Sequence, residues 1–283
     1  MNIRVSEAYA EARRHLRDRD DLDPKVAAAW IVRHLLGADG AALLRLIAER
    51  RAVVPREGLS AILKRLKAGE PLDYVLGEAP FGPYALAVGP GVLVPRPETY
   101  GLVERVISRL ERDGPAAPTV VDLGTGSGAI AVALAKSHPA LRVVGVDVSP
   151  VAVLYARTNA RRLGVAGRVR VVRADMAGWE PPAAFDALVS NPPYIAAGAW
   201  PKLPRPVRRE PRLALIGGVD GLDFYRLIAA RAARLVRPGG FVAVEVGAGQ
   251  ADAVRRLFAA AGLFDIEVDI DFHGIERYVL SRV

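Results

Sequence analysis

The chain of 283 residues is 51% hydrophobic and 25% charged, which supplies the apolar material for an ordinary packed globular protein of one large or two smaller domains. It has no cysteine, which excludes a disulfide framework, thiolate metal sites and cysteine nucleophiles; no apolar run approaches the roughly 20 residues that span a bilayer, so a soluble, untargeted cytoplasmic protein is expected. The formal charge of +8 favours encounter with acidic partners, yet Arg13, Arg14, Arg17 and Arg19 read as a solvated helix surface, and only Arg205, Arg208, Arg209 and Arg212 gather near the motifs described below.

From residue 6 to about 67 apolar positions recur with the helical period, with Val26, Trp30, Ile31 and Leu35 expected on one buried face. Asp23-Pro24 reads as an N-cap followed by proline at the first helical position, Gly37 as the end of that helix, and Pro55 and Gly69 as brackets around another. A small helical domain over 1–70 follows. Between Glu70 and Pro97 the short apolar runs Ala85-Leu86-Ala87-Val88 and Val92-Leu93-Val94 alternate with turn residues, which predicts a β-hairpin inside a linker over 71–97. In the remainder, 98–283, the strand candidates are Thr119–Leu123, Arg142–Asp147, 168–173, Phe185–Ser190 and 241–246, separated by helical stretches. That alternation is the mark of an α/β domain with a parallel sheet, and apolar stretches at 266–270 and 277–280 suit an antiparallel pair at its edge.

Val120-Val121-Asp122-Leu123 runs into Gly124-Thr125-Gly126-Ser127-Gly128, a strand entering a glycine turn with a helix opening at Ala129. Glycine is needed where the backbone bends sharply and a ligand approaches it closely. Gly124, Gly126 and Ala129 also fit a dinucleotide fingerprint, so the turn alone does not choose between cofactors. Asp147 ends the second strand candidate, where its carboxylate can accept from two ribose hydroxyls, and Asp175 with Met176 can take an adenine amino group and cover the ring. Asp122 can orient the glycine turn or cap local donors, and Glu98 and Glu245 read as structural carboxylates. The four histidines show no ligand spacing, and no metal is expected.

Asn191-Pro192-Pro193-Tyr194 follows the fourth strand candidate. Pro192 drives Asn191 out of the helical region, and two prolines stiffen the loop while removing backbone donors, so the loop presents acceptors. The Asn191 side-chain oxygen and the Pro192 carbonyl can each take one hydrogen of a planar NH2 group, with Tyr194 packing on its flat face. An amide nitrogen is a poor nucleophile; holding both hydrogens aligns it and stabilises charge developing as a methyl group arrives by in-line displacement.

These residues resemble the release factor glutamine methyltransferases. The resemblance covers nearly the whole chain and is carried by Gly69-Glu70-Pro71-Leu72, Tyr74-Val75-Leu76-Gly77, Val94-Pro95-Arg96-Pro97-Glu98-Thr99, the glycine turn, Asn191 to Tyr194, Glu210-Pro211, Gly217-Gly218-Val219-Asp220-Gly221-Leu222 and Glu245-Val246-Gly247-Ala248-Gly249-Gln250. It implies a Rossmann-like methyltransferase domain with an amino-terminal helical domain that helps hold the protein substrate. It places Gly124, Thr125, Gly126, Ser127, Gly128, Asp147, Met176 and Asn191 around S-adenosylmethionine, to which Asp175 is added from its position. Asn191, Pro192, Pro193 and Tyr194 surround the target, with Phe81, Arg96 and Thr99 nearby, and Asn191, Pro192 and Tyr194 carry the chemistry. The implied substrate is the Gly-Gly-Gln glutamine of class I peptide chain release factors. Tyr100, Gly82 and Arg209 depart from the family pattern, standing where an acidic residue and two aromatics are common. Adenine methyltransferases of nucleic acids use the same loop, but no groove-reading motif or aromatic interleaving supports that alternative, and no stable nucleic-acid partner is expected.

Overall fold

The computed structural model describes residues 1–19, 21–37 and 52–283; the expected helical pattern at residues 20 and 38–51 lies outside them. The chain divides into two compact units, residues 1–77 with 204–209, and residues 78–203 with 210–283.

In the first unit Asn2–Arg4 (β1) pairs antiparallel with Val53–Pro55 (β2) beside the helices Val5–His15 (α1), Pro24–Leu36 (α2), Arg56–Lys67 (α3) and Leu72–Leu76 (α4). The start of α2 is fixed by the Asp23 carboxylate, which accepts from the amides of Lys25 at 2.7 Å and Val26 at 3.3 Å, donors with no partner inside the helix. Gly37 ends it at φ 59°. The buried stripe of α2 is Ala27, Ala28, Ile31 and Val32, whereas Val26 is 54% exposed. The helical period is as expected, and Trp30 and Leu35 pack against the core beside Ile31; only Val26 falls outside the face, which is completed by small alanines that let α1 pack close, where Ala8 and Ala12 are fully buried. Residues 204–209 cluster with this unit, and Arg209 donates to the Ala68 carbonyl at 3.3 Å. Among the described residues, no helix is long and apolar enough to cross a membrane.

The second unit is built on a seven-stranded sheet in the order β10-β11-β9-β8-β5-β6-β7. Its parallel strands are Thr119–Leu123 (β5), Arg142–Asp147 (β6), Val169–Arg173 (β7), Phe185–Ser190 (β8) and Val236–Glu245 (β9). Phe264–Ile270 (β10) and Glu276–Arg282 (β11) add the antiparallel edge. Strand β9 starts at Val236, five residues before the expected 241, and Arg237, Pro238 and Gly239 in its added part are exposed. The sheet is apolar on both faces: Val120, Val143 and Ala243 point into a core with the helices Pro97–Asp113 (α5), Ala129–Ser137 (α6) and Pro150–Arg162 (α7), while Val121, Leu188 and Val244 point into a core with Asp223–Leu235 (α8) and Ala251–Ala260 (α9). From β5 the chain runs outward through β6 and β7, then returns to β8 on the other side. This reversal opens a crevice at the carboxyl ends of β5 and β8, where α/β sheets hold ligands.

The hairpin is Glu78–Phe81 (β3) paired with Tyr84–Ala87 (β4); Val92-Leu93-Val94 is not a strand. Two departures from the family pattern meet here. A Cβ at Gly82, where φ is 55°, would lie 2.3 Å from the Tyr100 ring, and that ring packs edge-on against Phe81 with centroids 5.4 Å apart. Tyr100 occupies the space that a side chain at 82 would need. Gly82→Ala should therefore lower unfolding free energy by about 1–3 kcal/mol. In a Tyr100→Ala background only the roughly 1 kcal/mol cost of the left-handed backbone should remain. Denaturant titration of the two single variants and the double variant measures this; purely additive losses would contradict the shared space.

Candidate active site

The glycine turn after β5 takes left-handed backbone at Gly124, Gly126 and Gly128, with φ of 71°, 56° and 80°. The amides of Gly124 and Thr125 both donate to the Val146 carbonyl at 2.8 and 3.0 Å, which stitches the turn to the end of β6. Asp147 completes that junction: one carboxylate oxygen accepts from the Gly126 amide and the other from the Ser149 amide, each at 2.9 Å. Each carboxylate oxygen can accept more than one bond, so Asp147 retains acceptor capacity. Gly128 serves packing, since a Cβ there would lie 3.0 Å from the Ala156 backbone in α7. Asn159, fully buried in the same helix, bonds both backbone groups of Ala87 and the Ser127 carbonyl, tying hairpin and turn together.

The loop after β8 is held from several sides. Asn191 Nδ2 donates to Thr99 Oγ1 at 2.9 Å, and that hydroxyl donates to Glu245 Oε2 at 2.6 Å. The Tyr194 carbonyl accepts from Gln250 Nε2 at 3.0 Å, and the Gly217 amide donates to the Ile195 carbonyl at 2.9 Å. Glycine is required beneath the loop: a Cβ at Gly217 would come within 2.3 Å of the Pro193 carbonyl oxygen, and one at Gly221 within 2.3 Å of the Tyr194 carbonyl oxygen. Glu210, nearly fully buried, accepts from the Val94 amide at 2.9 Å and the Arg96 guanidinium at 2.5 Å, anchoring the segment before α5.

These loops enclose a cavity of about 360 Å³, within the range of about 300–1,000 Å³ typical of ligand sites. Of the expected residues, Gly124, Thr125, Gly126, Ser127, Asp147, Asp175, Met176, Asn191, Pro193, Arg96 and Thr99 line it. Gly128, Pro192, Tyr194 and Phe81 do not. Phe81 is 1% exposed in the core beside Tyr100, and Pro192 is buried. Tyr194 packs its ring toward Gly247, within reach of the α8–α9 core. Leu93, Ile130, Leu213 and Phe224 are apolar lining residues with no motif of their own. Only their places beside Pro95, the glycine turn, Glu210-Pro211 and the glycine pair at 217–218 could have signalled them.

The second unit overlaps a family model described as Methyltransferase small domain, which matches residues 104–202; one described as PrmC N-terminal domain matches 7–77. The chain is 40% identical to a protein of Moorella thermoacetica named release factor glutamine methyltransferase, over 98% of each chain. It is 39% identical to one of the same name from Geobacter sulfurreducens, over 96% of this chain and 94% of that one. Among solved structures, a Thermus thermophilus 16S rRNA N2 G1207 methyltransferase in complex with AdoMet and guanosine aligns with a TM-score of 0.53 and 21% identity, over 72% of this chain and 49% of that one. That likeness is one of fold.

Burial sets the electrostatics of the site. It raises the Asp147 carboxyl against its backbone bonds. It pushes Tyr194 up to about 12, with the Glu245 charge adding to the rise. Burial pushes Asp122 up to about 7 against its bond from the Thr125 hydroxyl, and Glu245 up to about 7 against its bond from Thr99. A carboxyl whose folded value is raised holds its proton more tightly folded than unfolded. Its contribution therefore favours folding at acid pH and is lost as pH rises through about 7. Asp122→Asn removes one such titration. Relative to the parent, its melting temperature should gain on the order of 5 °C between about pH 5 and about pH 8. Melting curves at both pH values check this, and an equal offset at both would contradict it.

Proposed function

The chain belongs to the release factor glutamine methyltransferase family, and on that premise we propose that it transfers the methyl group of S-adenosylmethionine to the side-chain amide nitrogen of the Gly-Gly-Gln glutamine in class I peptide chain release factors. The observation that carries this reading is the Asn191 amide: its NH2 end is committed to Thr99, so its oxygen is the end left for the cavity. A planar NH2 group entering there meets an acceptor.

The cavity suits the cofactor. Gly124 and Gly126 leave room where a side chain would stand, and Met176, 3.4 Å from the position of a Cβ on Gly124, offers a soft apolar wall. Asp147 would accept from the ribose hydroxyls, Asp175 from the adenine amino group, and the turn from Gly124 to Ser127 would line the remainder. Bound there, S-adenosylmethionine supplies a methyl group activated by its sulfonium. Asn191 Oδ1 would take one amide hydrogen, which orients the nitrogen and stabilises the positive charge that grows on it, and Pro192, buried behind the lining, stiffens the loop that presents it. An N-methylated amide cation is strongly acidic and gives up its proton without a strong base. Pro193 and Tyr194 keep the loop in place, with Arg96 and Thr99 closing the wall beside it. The helical unit helps hold the release factor, and the Asp175 side chain, which caps the Ala177 amide at 2.9 Å, keeps its own loop in register.

Incubation with labelled S-adenosylmethionine should label an unmethylated release factor and leave bulk nucleic acid unlabelled; label confined to nucleic acid would overturn the substrate. Asn191→Ala should lower kcat by about 100-fold or more with cofactor affinity changed by less than about threefold, and near-normal turnover would refute its role. Asp147→Ala should weaken S-adenosylmethionine binding by roughly 10- to 100-fold in calorimetric titration, the scale of two lost hydrogen bonds. Unchanged affinity would contradict the assignment.

A further inference from the structure

We propose that Glu245, acting through Thr99, is a positioning residue that decides which end of the Asn191 amide faces the cavity. This rests on the amide-nitrogen methylation proposed above and names part of the machinery behind it.

The two ends of a carboxamide have nearly the same shape, so packing alone does not choose between them; the hydrogen-bond network does. A threonine hydroxyl has one proton. When Glu245 is ionised, above about pH 7, its Oε2 only accepts, and at 2.6 Å the Thr99 proton is committed to it. The lone pairs of Oγ1 are then what Asn191 meets, and it meets them with Nδ2 at 2.9 Å. The reversed amide would set its oxygen against a hydroxyl oxygen and turn donors toward the NH2 group of the target. Donor would face donor at the reacting nitrogen.

Glu245 does not line the cavity and is 1% exposed, whereas Thr99 and Asn191 both line it. The hydrogen bond from the Thr99 hydroxyl therefore connects the carboxylate to the cavity wall. Its backbone is fixed as well: the carbonyl of Glu245 accepts from the Tyr225 hydroxyl at 2.8 Å, and the residue is paired with Tyr278 of β11. Arg277 lends nearby positive charge and is itself held by Asp271 at 3.1 Å and the Val246 carbonyl at 3.0 Å.

The test is steady-state and single-turnover methylation of an unmethylated release factor by the full chain. Thr99→Val keeps the shape and removes the hydroxyl; kcat should fall about 10- to 100-fold, the span of one lost hydrogen bond, while KM and cofactor affinity move less than about threefold. Thr99→Ser restores the hydroxyl and should recover kcat to within about threefold of the parent. Glu245→Gln, which can donate as well as accept, should fall between them. In an Asn191→Ala background Thr99→Val should cost nothing further, because the amide it orients is gone. A Thr99→Val enzyme with unchanged kcat, or one that loses the same factor with and without Asn191, would overturn the proposal by assigning Thr99 a general structural role. So would a serine variant as slow as the valine one. A parent enzyme that does not label release factor would overturn the proposed function itself and this inference with it; an active parent with an unaffected valine variant overturns the inference alone. Retained cofactor binding in each variant establishes that it is folded.

Discussion

A 2.6 Å hydrogen bond from the Thr99 hydroxyl to the buried Glu245 carboxylate joins the first turn of α5 to the last residue of β9, and the acceptor loop after β8 is closed against it through Asn191. Three elements far apart in the chain are brought to one point. A carboxylate with 1% exposure is costly unless its lone pairs are used, and a short bond from a hydroxyl offsets part of that cost. The same bond gives the loop its chemical polarity. Removing the hydroxyl leaves the buried carboxyl without that bond and the amide free to turn, so stability and chemistry are coupled at this point.

The rest of the site follows the same division of labour, with backbone held by polar side chains and space kept open by glycine. Glu210 ties Val94 to Arg96, Gln250 holds the Tyr194 carbonyl, and Asn159 binds the hairpin to the glycine turn. Gly217 and Gly221 admit the carbonyls of Pro193 and Tyr194 at distances that no Cβ would allow. A rigid acceptor loop therefore depends on residues that never touch the cavity. Arg96 lines the cavity while its guanidinium is engaged by Glu210, so it forms wall before it offers charge.

Much of this is legible in the sequence where one short segment carries the whole physical reason. The parallel strands show because burial on both faces demands unbroken apolar runs, and the glycine turn and Asn191-Pro192-Pro193-Tyr194 show because each needs unusual backbone chemistry in consecutive residues. Asp147 is readable from its place at a strand end. What is hidden depends on partners far along the chain: Thr99 and Glu245 are 146 residues apart, and Asn159 meets Ala87 across 72. Glu245 reads as a structural carboxylate from the sequence, and only the shared hydroxyl reveals its bearing on Asn191. One position of α2, Val26, is misread for a different reason, while Trp30, Ile31 and Leu35 pack on the core as expected. Hydrophobic size points to Val26, but close packing of two helices selects the alanines at 27 and 28. Phe81, which the family resemblance places near the site, instead fills the core beside Tyr100, and the paired departures at 82 and 100 become intelligible as one steric accommodation.

The central claim is that the loop at Asn191 presents acceptors to an amide nitrogen, and the most direct measurement is mass-spectrometric mapping of the methyl group on the product at the level of the modified atom. Fragmentation should place one methyl on the side-chain nitrogen of the Gly-Gly-Gln glutamine, with none in a release factor carrying alanine there. A methyl found on a carboxylate oxygen, on another side chain, or equally in the alanine variant would contradict the account.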